Sequence, residues 1–320
     1  MQSSLEQFIE HAKEHTVIPV WKELVADLIT PVSAFERIVG DQPGFLLESV
    51  EHGERWSRWS FIGRNPLLTI KKIDSQLLIE GEIPIEFDVN GQILESVRAL
   101  QRTLSAPQIE NFPPMYSGLL GYLGYDTVRE IEDLPTPAND DLQVPDAILS
   151  VIGEVAAFDH WSQRVFLIAN AIVKPQSSKH EIAESYYETK NRLDSLMLDG
   201  AKPLSEPLLD PPNLNTNSVE VKSTMSENDY CGIVEKAKDY ILAGDIFQVV
   251  LSQRFDFDLE ANPFDVYRVL RQINPSPYMY FVKNEEVTLV GCSPEPLIQL
   301  RDNTITSRPI AGTRKRGLTQ

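Results

Sequence analysis

At 320 residues the chain is long enough for one large domain or two of ordinary size, and its 42% apolar residues suffice for a sizeable core. The formal net charge of −18 disfavours nucleic acid as a partner, because a polyphosphate would be repelled. No stretch approaches the roughly 18 apolar residues of a membrane span, and the first residues lack the basic start and apolar core of an export signal. We therefore predict a cytoplasmic protein that binds neither nucleic acid nor membrane.

The residue types that most often bind metals do not cluster in the sequence. Cys231 and Cys292 are far apart and sit among apolar neighbours, so we expect buried, unreactive thiols of a reducing compartment. The five histidines share no spacing typical of metal ligands. We therefore predict no metal site built from the residues of this chain.

The first 200 residues alternate between helix and strand signals. Ser3 and Glu6 predict a capping box before the first helix, and Thr30 followed by Pro31 predicts the start of a second. Apolar periodicity predicts the remaining elements, namely strands at 44–50, 67–73, 76–80, 147–157 and 164–173 and helices at 92–104 and 180–198.

The segment 118–125 is rich in glycine and aromatic residues. It does not fit a phosphate-binding loop, because no helix with a lysine follows at the required place. We predict a twisted or bulged strand, in which glycine allows another backbone to come close.

A Pro-rich stretch at 201–224 lacks the signals of a regular element, and we predict that it links an N-terminal region at 1–200 to a second domain at 225–320. After this linker the predicted elements are a helix from Ser226 to Gly244, a strand at 247–257, a helix at 263–272 and strands at 278–282, 288–292, 297–301 and 304–307. Strand runs interrupted by single helices favour an α+β fold with large antiparallel sheets and flanking helices.

The segment 307–317 concentrates positive charge in an acidic chain, with three arginines and one lysine. Gly312 allows a backbone N–H group to approach a ligand closely, and Thr313 adds a hydroxyl donor. These groups suit a carboxylate ligand. A solvated basic turn is the alternative on composition alone.

Longer motifs in the same region resemble one family. Pro309-Ile310-Ala311-Gly312-Thr313, followed by Arg-Lys-Arg-Gly, resembles the signature of chorismate-utilising enzymes. The segments 244–254 and 293–295 match the same family in the same order. The resemblance implies the chorismate-utilising-enzyme fold for this chain. It also implies that Gly312 and Thr313 bind chorismate and that Glu295 is catalytic.

Three features indicate a subfamily. Ala311 stands where aminodeoxychorismate synthases place a nucleophilic lysine, and an alanine cannot attack the ring. Leu46-Leu47-Glu48-Ser49 and Asn274-Pro275-Ser276-Pro277-Tyr278-Met279 resemble the two segments that form the tryptophan feedback site of anthranilate synthases. The chain is therefore similar to the large, chorismate-binding subunits of those enzymes. The resemblance implies that 1–200 is their N-terminal regulatory region and that 225–320 is the first part of their chorismate-binding catalytic domain. Isochorismate synthases can also lack the lysine, so Ala311 excludes one relative only.

The resemblance also assigns residues to a feedback site for L-tryptophan. They are Ser49, Pro277, Tyr278 and Met279, with Glu48 and Arg58 as further candidates. Glu48 would meet the ammonium group of the ligand, and Pro277 and Tyr278 would flank the indole ring.

A reaction and a partner follow from the same resemblance. Anthranilate synthases convert chorismate and ammonia into anthranilate and pyruvate, and the ammonia comes from a glutamine amidotransferase subunit, component II. Mg²⁺ is the expected cofactor, but the metal-binding glutamates and a catalytic histidine of the family would lie beyond Gln320. We therefore expect a chain whose C-terminal part is missing and which is inactive alone.

Two other functions stay open at this point. One is a non-catalytic module that binds tryptophan. The other is a different chorismate enzyme, an aminodeoxychorismate or isochorismate synthase, and inhibition by tryptophan separates it from an anthranilate synthase.

Overall fold

A computed structural model describes residues 2–50, 58–74, 76–135, 139–204, 209–211, 219–301 and 303–310, together with Gly317. The chain forms two compact units. The first comprises Met1–Pro207 and Leu270–Pro294, and the second comprises Leu208–Val269 and Glu295–Gln320. This division differs from the predicted boundaries, because 270–294 joins the first unit rather than the C-terminal domain.

The described part of the chain contains about twice as many strands as helices. The helices are α1 Leu5–His11, α2 Pro31–Ile38, α3 Ile93–Thr103, α4 Lys179–Gly200, α5 Glu227–Ala243 and α6 Pro263–Ile273, with a 3-10 helix at Tyr125–Glu130. The strands are β1 Val17–Val25, β2 Gly44–Glu48, β3 Trp59–Arg64, β4 Leu68–Ile73, β5 Gln76–Glu80, β6 Leu119–Leu123, β7 Ala147–Val151, β8 Glu154–Asp159, β9 Arg164–Ile172, β10 Lys222–Ser223, β11 Phe255–Asp256, β12 Tyr278–Lys283, β13 Thr288–Ser293, β14 Gln299–Arg301 and β15 Thr304–Thr306. The predicted α+β class is confirmed.

The first unit is built on a seven-stranded sheet in the order β1-β9-β8-β3-β2-β12-β13, and all neighbours are antiparallel. On one face, Phe45, Val155 and Ile168 belong to a buried apolar cluster. On the other face, Phe35 of α2 packs edge-to-face against Phe281, with ring centres 5.2 Å apart. Helices α2 and α4 contact each other and this sheet. The sheet is therefore covered on both faces.

A second antiparallel sheet in the first unit has the order β5-β4-β7-β6. Leu68, Ile70 and Val151 on one of its faces form a buried cluster with Ile93 and Leu100 of α3. Burial of this apolar stripe explains why α3 lies against the sheet, as the helical spacing predicts. The large antiparallel sheets with flanking helices are confirmed.

The second unit contains α5, the first part of α6 and two two-stranded sheets, β10-β11 and β14-β15. Helix α5 has no buried residue. Leu242, Phe247 and Leu297 of this unit are 85–92% exposed. Cys231 on α5 is also exposed, and Cys292 on β13 is half-buried, so the predicted burial of both thiols is wrong.

Helix ends follow local sequence signals closely. Thr30 caps α2 with Pro31 at the first helical position, as predicted. Ser226 caps α5, and Gly244 ends it with a left-handed φ of +84°. Such ends depend on a few adjacent residues, which is why the sequence predicts them.

The cap of α1 is shifted by one residue from the predicted one. Ser4, rather than Ser3, accepts a hydrogen bond from the N–H of Gln7 and completes the capping box. Ser3 instead accepts a hydrogen bond from the N–H of Trp21 at 2.9 Å. The contact with β1 therefore decides which of the two serines is the cap.

The strands differ from the predictions in several places. The predicted strand at 147–157 is wrong, because it divides into β7 and β8, which belong to different sheets. Gly153 lies between β7 and β8. A Cβ atom there would lie 1.8 Å from the carbonyl oxygen of Asn65, so a residue with a side chain does not fit at this position. The predicted strand at 247–257 contains the short β11, which pairs with β10 inside the predicted linker. Strand β1, nine residues long, and strand β3, six residues long, are missing from the predicted elements.

Gly121 of β6 confirms the predicted close approach of another backbone. A Cβ atom there would lie 1.8 Å from the carbonyl oxygen of Ile148 on β7. We expect Gly121→Ala to lower the free energy of unfolding by about 3 kcal/mol, the upper end of the usual cost of over-packing, because backbone atoms cannot move aside cheaply. Urea unfolding measures this loss.

The matched control is Gly200→Ala at the end of α4. Its Cβ atom would lie 3.9 Å from the side chain of Ile38, an ordinary contact, so the change should stay below about 1 kcal/mol. An equal urea midpoint for Gly121→Ala and the wild type would contradict the clash.

The N-terminus of α3 is capped by a carboxylate from a distant segment. Gln92, the N-cap residue, makes no side-chain cap hydrogen bond. Instead, Glu130 accepts hydrogen bonds from the N–H groups of Ile93 and Leu94, each at 2.9 Å, and Lys72 Nζ lies 2.6 Å from the same carboxylate. Burial raises the pKa of Glu130, but these hydrogen bonds outweigh it and hold the pKa below its ordinary value.

The Glu130 cap predicts a pH-dependent contribution to stability. Because the folded pKa lies below the unfolded value of about 4.3, the contribution is complete above that pH and is lost as the pH falls through the folded pKa. We expect Glu130→Gln to lower the free energy of unfolding at neutral pH by about 2 kcal/mol. The two proteins should converge under strongly acidic conditions.

Urea unfolding across the acidic and neutral range tests this pH dependence. The control is Glu95→Gln in the first turn of the same helix, where the exposed pair with Arg98 should contribute about 0.5 kcal/mol or less. A difference between wild type and Glu130→Gln that is constant at every pH would rule out a cap that depends on charge.

Candidate functional site

The fold joins the two segments that the resemblance assigns to a feedback site. Strands β2 and β12 are antiparallel neighbours, and Met279 lies opposite Glu48. Just beyond the end of β2, the N–H of Val50 donates to the carbonyl oxygen of Ser276 at 3.0 Å. Two segments remote in the sequence therefore lie side by side in the first unit.

The candidate side chains at this junction point to different sides of the sheet. Glu48 and Met279 are buried on the face that carries α2. Tyr278 precedes Met279 in the strand and so lies on the opposite face, where it is 44% exposed. Ser49 and Pro277 are half-buried, and the Ser49 hydroxyl makes no hydrogen bond to another described residue.

Glu48 is held by an arginine that the sequence analysis did not single out. Arg271 Nη2 donates to Glu48 Oε1 at 3.0 Å, and Arg271 Nε lies 2.7 Å from Oε2. The Glu48 side chain is 2% exposed and that of Arg271 is 29% exposed. Arg271 lies in the last turn of α6, where basic residues are common for local reasons. No local signal marks it, because its partner is remote in the sequence.

Arg58, the other further candidate, is engaged with the neighbouring strand. Its Nε and Nη2 donate to the Asp159 carboxylate at 3.0 and 2.7 Å. Its guanidinium carbon lies 4.9 Å from the ring centre of Trp59 and 5.1 Å from that of Trp161. Burial raises the pKa of Asp159, but hydrogen bonds from Arg58 and Ser162 bring it below its ordinary value. The guanidinium is thus already bound within the protein.

Ser60 and His160 are polar residues near Glu48. Ser60 lies opposite Glu48 across β2 and β3, and its Oγ is hydrogen-bonded to His160 Nε2 at 2.8 Å. Partial burial lowers the pKa of His160 by more than the carboxylates of Glu48 and Asp159 raise it. At neutral pH His160 is therefore an uncharged partner of Ser60.

In the second unit, the predicted catalytic Glu295 contacts the segment that leads into the chorismate signature. Glu295 Oε1 accepts a hydrogen bond from the N–H of Ile310 at 2.7 Å. The Ser-Pro-Glu motif and the start of the Pro-Ile-Ala-Gly-Thr motif are therefore adjacent. Ala311, Gly312 and Thr313 lie outside the described residues, so the contacts of Gly312 and Thr313 with chorismate stay predictions.

The described part of the chain contains no group of three or more His, Cys, Asp or Glu side chains placed to hold a metal ion. In the same ranges, every helix is too short or too polar to cross a membrane.

Comparison with known families gives a direct match. The chorismate binding enzymes match residues 44–320, and the chain therefore belongs to that family. Its sequence is also similar to curated anthranilate synthase component 1 proteins. It is 38% identical over 312 residues to the protein of Acetivibrio thermocellus, covering 97% of this chain and 62% of that protein. It is 39% identical over 326 residues to the protein of Mycolicibacterium smegmatis, covering 99% and 61%.

A solved structure supports the fold assignment. The crystal structure of anthranilate synthase component I from Streptococcus pneumoniae TIGR4 matches with a TM-score of 0.63 and 26% sequence identity, over 89% of this chain and 60% of that chain. The predicted chorismate-utilising-enzyme fold is thereby confirmed. The chain spans about three fifths of the length of the curated relatives it matches.

Proposed function

We propose that this chain is part of an anthranilate synthase, in which it binds chorismate and the inhibitor L-tryptophan. The observation that carries the proposal is the pairing of β2 with β12, which sets Leu-Leu-Glu-Ser against Asn-Pro-Ser-Pro-Tyr-Met. Within the family of chorismate-utilising enzymes, these two motifs are the features that favour an anthranilate synthase. The hydrogen bond between Glu295 and Ile310 supports the chorismate side of the proposal, because it joins two motifs of the family signature.

The proposed reaction adds ammonia to the chorismate ring with loss of the ring hydroxyl as water, and it then eliminates pyruvate to leave anthranilate. Chorismate carries two carboxylates, which suit the backbone N–H of Gly312 and the hydroxyl of Thr313. Glu295 accepts a hydrogen bond from the N–H of Ile310, two residues before Gly312 in the sequence. Ala311 offers no amine that could attack the ring, which is consistent with external ammonia as the nucleophile. Mg²⁺, a glutamine amidotransferase subunit as the ammonia source and a cytoplasmic location belong to the same proposal.

Calorimetry of the chain with L-tryptophan tests the inhibitor side. We expect L-tryptophan to bind at one site per chain and L-phenylalanine to bind at least about tenfold more weakly, because its smaller ring buries less surface. Equal affinity for the two amino acids would contradict an indole-binding site.

An assay of the enzyme that carries this chain tests the reaction. With chorismate, Mg²⁺ and ammonium salt, we expect anthranilate, detected by its fluorescence, and inhibition by L-tryptophan. Glu295→Gln should lower turnover about 100-fold. Isochorismate as the product would favour an isochorismate synthase. Tryptophan binding without chorismate binding would favour a non-catalytic module.

A further inference from the structure

The turn that leads from α6 into β12 is attached to the end of β2 at three points. Arg271, in the last turn of α6, pairs with Glu48. The carbonyl oxygen of Ser276 accepts a hydrogen bond from the N–H of Val50. Met279, near the start of β12, lies opposite Glu48. An ion pair, a backbone hydrogen bond and a strand ladder therefore connect the two segments of the proposed tryptophan site.

Of these three connections, the ion pair between Arg271 and Glu48 is the one that a side-chain substitution can remove. The Glu48 side chain is 2% exposed, and a buried carboxylate that loses a positive partner must be neutralised or force its surroundings to move. The fork of Arg271 places one nitrogen near each carboxylate oxygen, at 3.0 and 2.7 Å. Loss of the guanidinium would release this end of α6 from β2.

Glu48 is poorly placed to bind the ammonium group of a ligand directly. Both of its oxygens are close to Arg271. Its side chain also lies on the face of Met279, whereas Tyr278, a predicted wall of the indole pocket, lies on the other.

We propose that Glu48 and Arg271 are positioning residues, whose ion pair holds Ser49 and the turn 274–278 in the arrangement that binds L-tryptophan. The inference rests on the proposed tryptophan site. The sequence analysis predicts a direct contact between Glu48 and the ammonium group of the ligand, whereas here Glu48 acts indirectly, through the shape of the site. Arg271 gains a role that its local sequence does not indicate.

Calorimetry with two ligands tests the pair. The ligands are L-tryptophan and indole-3-propionate, which lacks the ammonium group. Arg271→Gln should weaken both by a similar factor of about ten or more, because the shape of the site changes. Arg271→Lys should fall between this variant and the wild type, since a lysine keeps the positive charge but lacks the planar guanidinium.

The double variant Glu48→Gln/Arg271→Gln is the matched control. It removes both charges but keeps two amides that can hydrogen-bond, so both affinities should return to within about threefold of the wild type. A direct ammonium contact predicts a different result: the double variant would bind tryptophan weakly and indole-3-propionate normally. That result, or unchanged affinities in Arg271→Gln, would overturn the proposal.

Hydrogen exchange provides a measurement that needs no ligand. In Arg271→Gln we expect faster exchange in the segments 45–50 and 274–279, recovery in the double variant, and no change in β8 and β9. If the wild type binds no tryptophan, the proposed function fails, and exchange still decides the role of the pair. Wild-type exchange rates in Arg271→Gln would then overturn it.

Discussion

Arg64→Met is expected to lower the free energy of unfolding by about 3–5 kcal/mol, the usual effect of breaking a buried ion pair. Arg64 ends β3, and its side chain is 12% exposed. Its Nε donates to Glu154 Oε2 at 2.9 Å, and its Nη1 donates to the carbonyl oxygen of Ile38 at 2.7 Å. Nη1 also lies 2.6 Å from the carboxylate of Asp199 on α4. One guanidinium therefore joins two strands of the large sheet to both helices that cover it.

The large effect follows from what the substitution leaves behind. Glu154 is 2% exposed, so without Arg64 its negative charge is buried beside the amide of Asn65, whose Nδ2 donates to it at 3.2 Å. An amide offsets a buried charge much less than a guanidinium does. Urea unfolding at neutral pH measures the loss.

Two further variants show whether the lost stability comes from the unpaired buried charge or only from the missing side chain. Arg98→Met breaks the exposed pair with Glu95 on α3, whose side chains are 59% and 43% exposed, and should cost about 0.5 kcal/mol or less. Arg64→Met/Glu154→Leu removes both buried charges and should recover more than half of the lost stability. Equal losses in Arg64→Met and Arg98→Met would contradict the structural role of this network.

The sequence predicts elements whose ends depend on adjacent residues. Thr30 and Pro31 define the start of α2, and Asp74, with a φ of +48°, lies in the turn between the two strands of the predicted hairpin. The division between β7 and β8 depends instead on the backbone of Asn65, which no local pattern at Gly153 can show. Local sequence signals therefore predict the helices and strands, whereas contacts with remote residues decide to which sheet each strand belongs.

Strand β1 illustrates a second limit of the sequence. Pro19, Lys22 and Glu23 interrupt its apolar run, a pattern that argues against a central strand. In the structure β1 ends the order of the seven-stranded sheet and pairs with β9. Such a position tolerates a proline and charges because one side of the strand is not part of this ladder.

The candidate site shows the same division between local and remote information. The motifs that contain Glu48 and Met279 can be recognised as two segments, but their pairing across β2 and β12 depends on the whole sheet order. Arg271 has no motif around it, because its partner Glu48 comes from the other segment. A family resemblance can assign a site residue to its role. An ion pair between two elements that are remote in the sequence can be recognised only in the folded structure.

In the enzyme that carries this chain, Ser49→Phe is expected to abolish L-tryptophan binding while leaving chorismate binding within a few fold. Ser49 is half-buried at the end of β2, and its hydroxyl has no partner among the residues that the structure describes. A bound indole removes on the order of 150–250 Å² of its surface from water, worth roughly 4–6 kcal/mol before ordering costs. A phenyl ring at this position would take the volume that the indole needs. We expect at least about a 100-fold loss of affinity, or roughly 2.7 kcal/mol.

Ser49→Ala separates the hydroxyl from the volume of the side chain. It removes a donor without filling space, and one hydrogen bond contributes about 0.5–1.5 kcal/mol. We therefore expect about a twofold to tenfold loss of tryptophan affinity in Ser49→Ala, well below the loss in Ser49→Phe. Equal losses in the two variants would show that the hydroxyl, rather than the space, determines binding.

The coupling between the two ligands provides the decisive measurement for Ser49. Allosteric coupling is reciprocal, so if tryptophan weakens chorismate binding, chorismate must weaken tryptophan binding by the same factor. Calorimetry of the wild type and Ser49→Phe, each with and without chorismate, gives both affinities. Equal tryptophan affinity in the two proteins would remove Ser49 from the inhibitor site and favour the isochorismate synthase alternative. Loss of chorismate binding together with tryptophan binding would show instead that the substitution damages the fold.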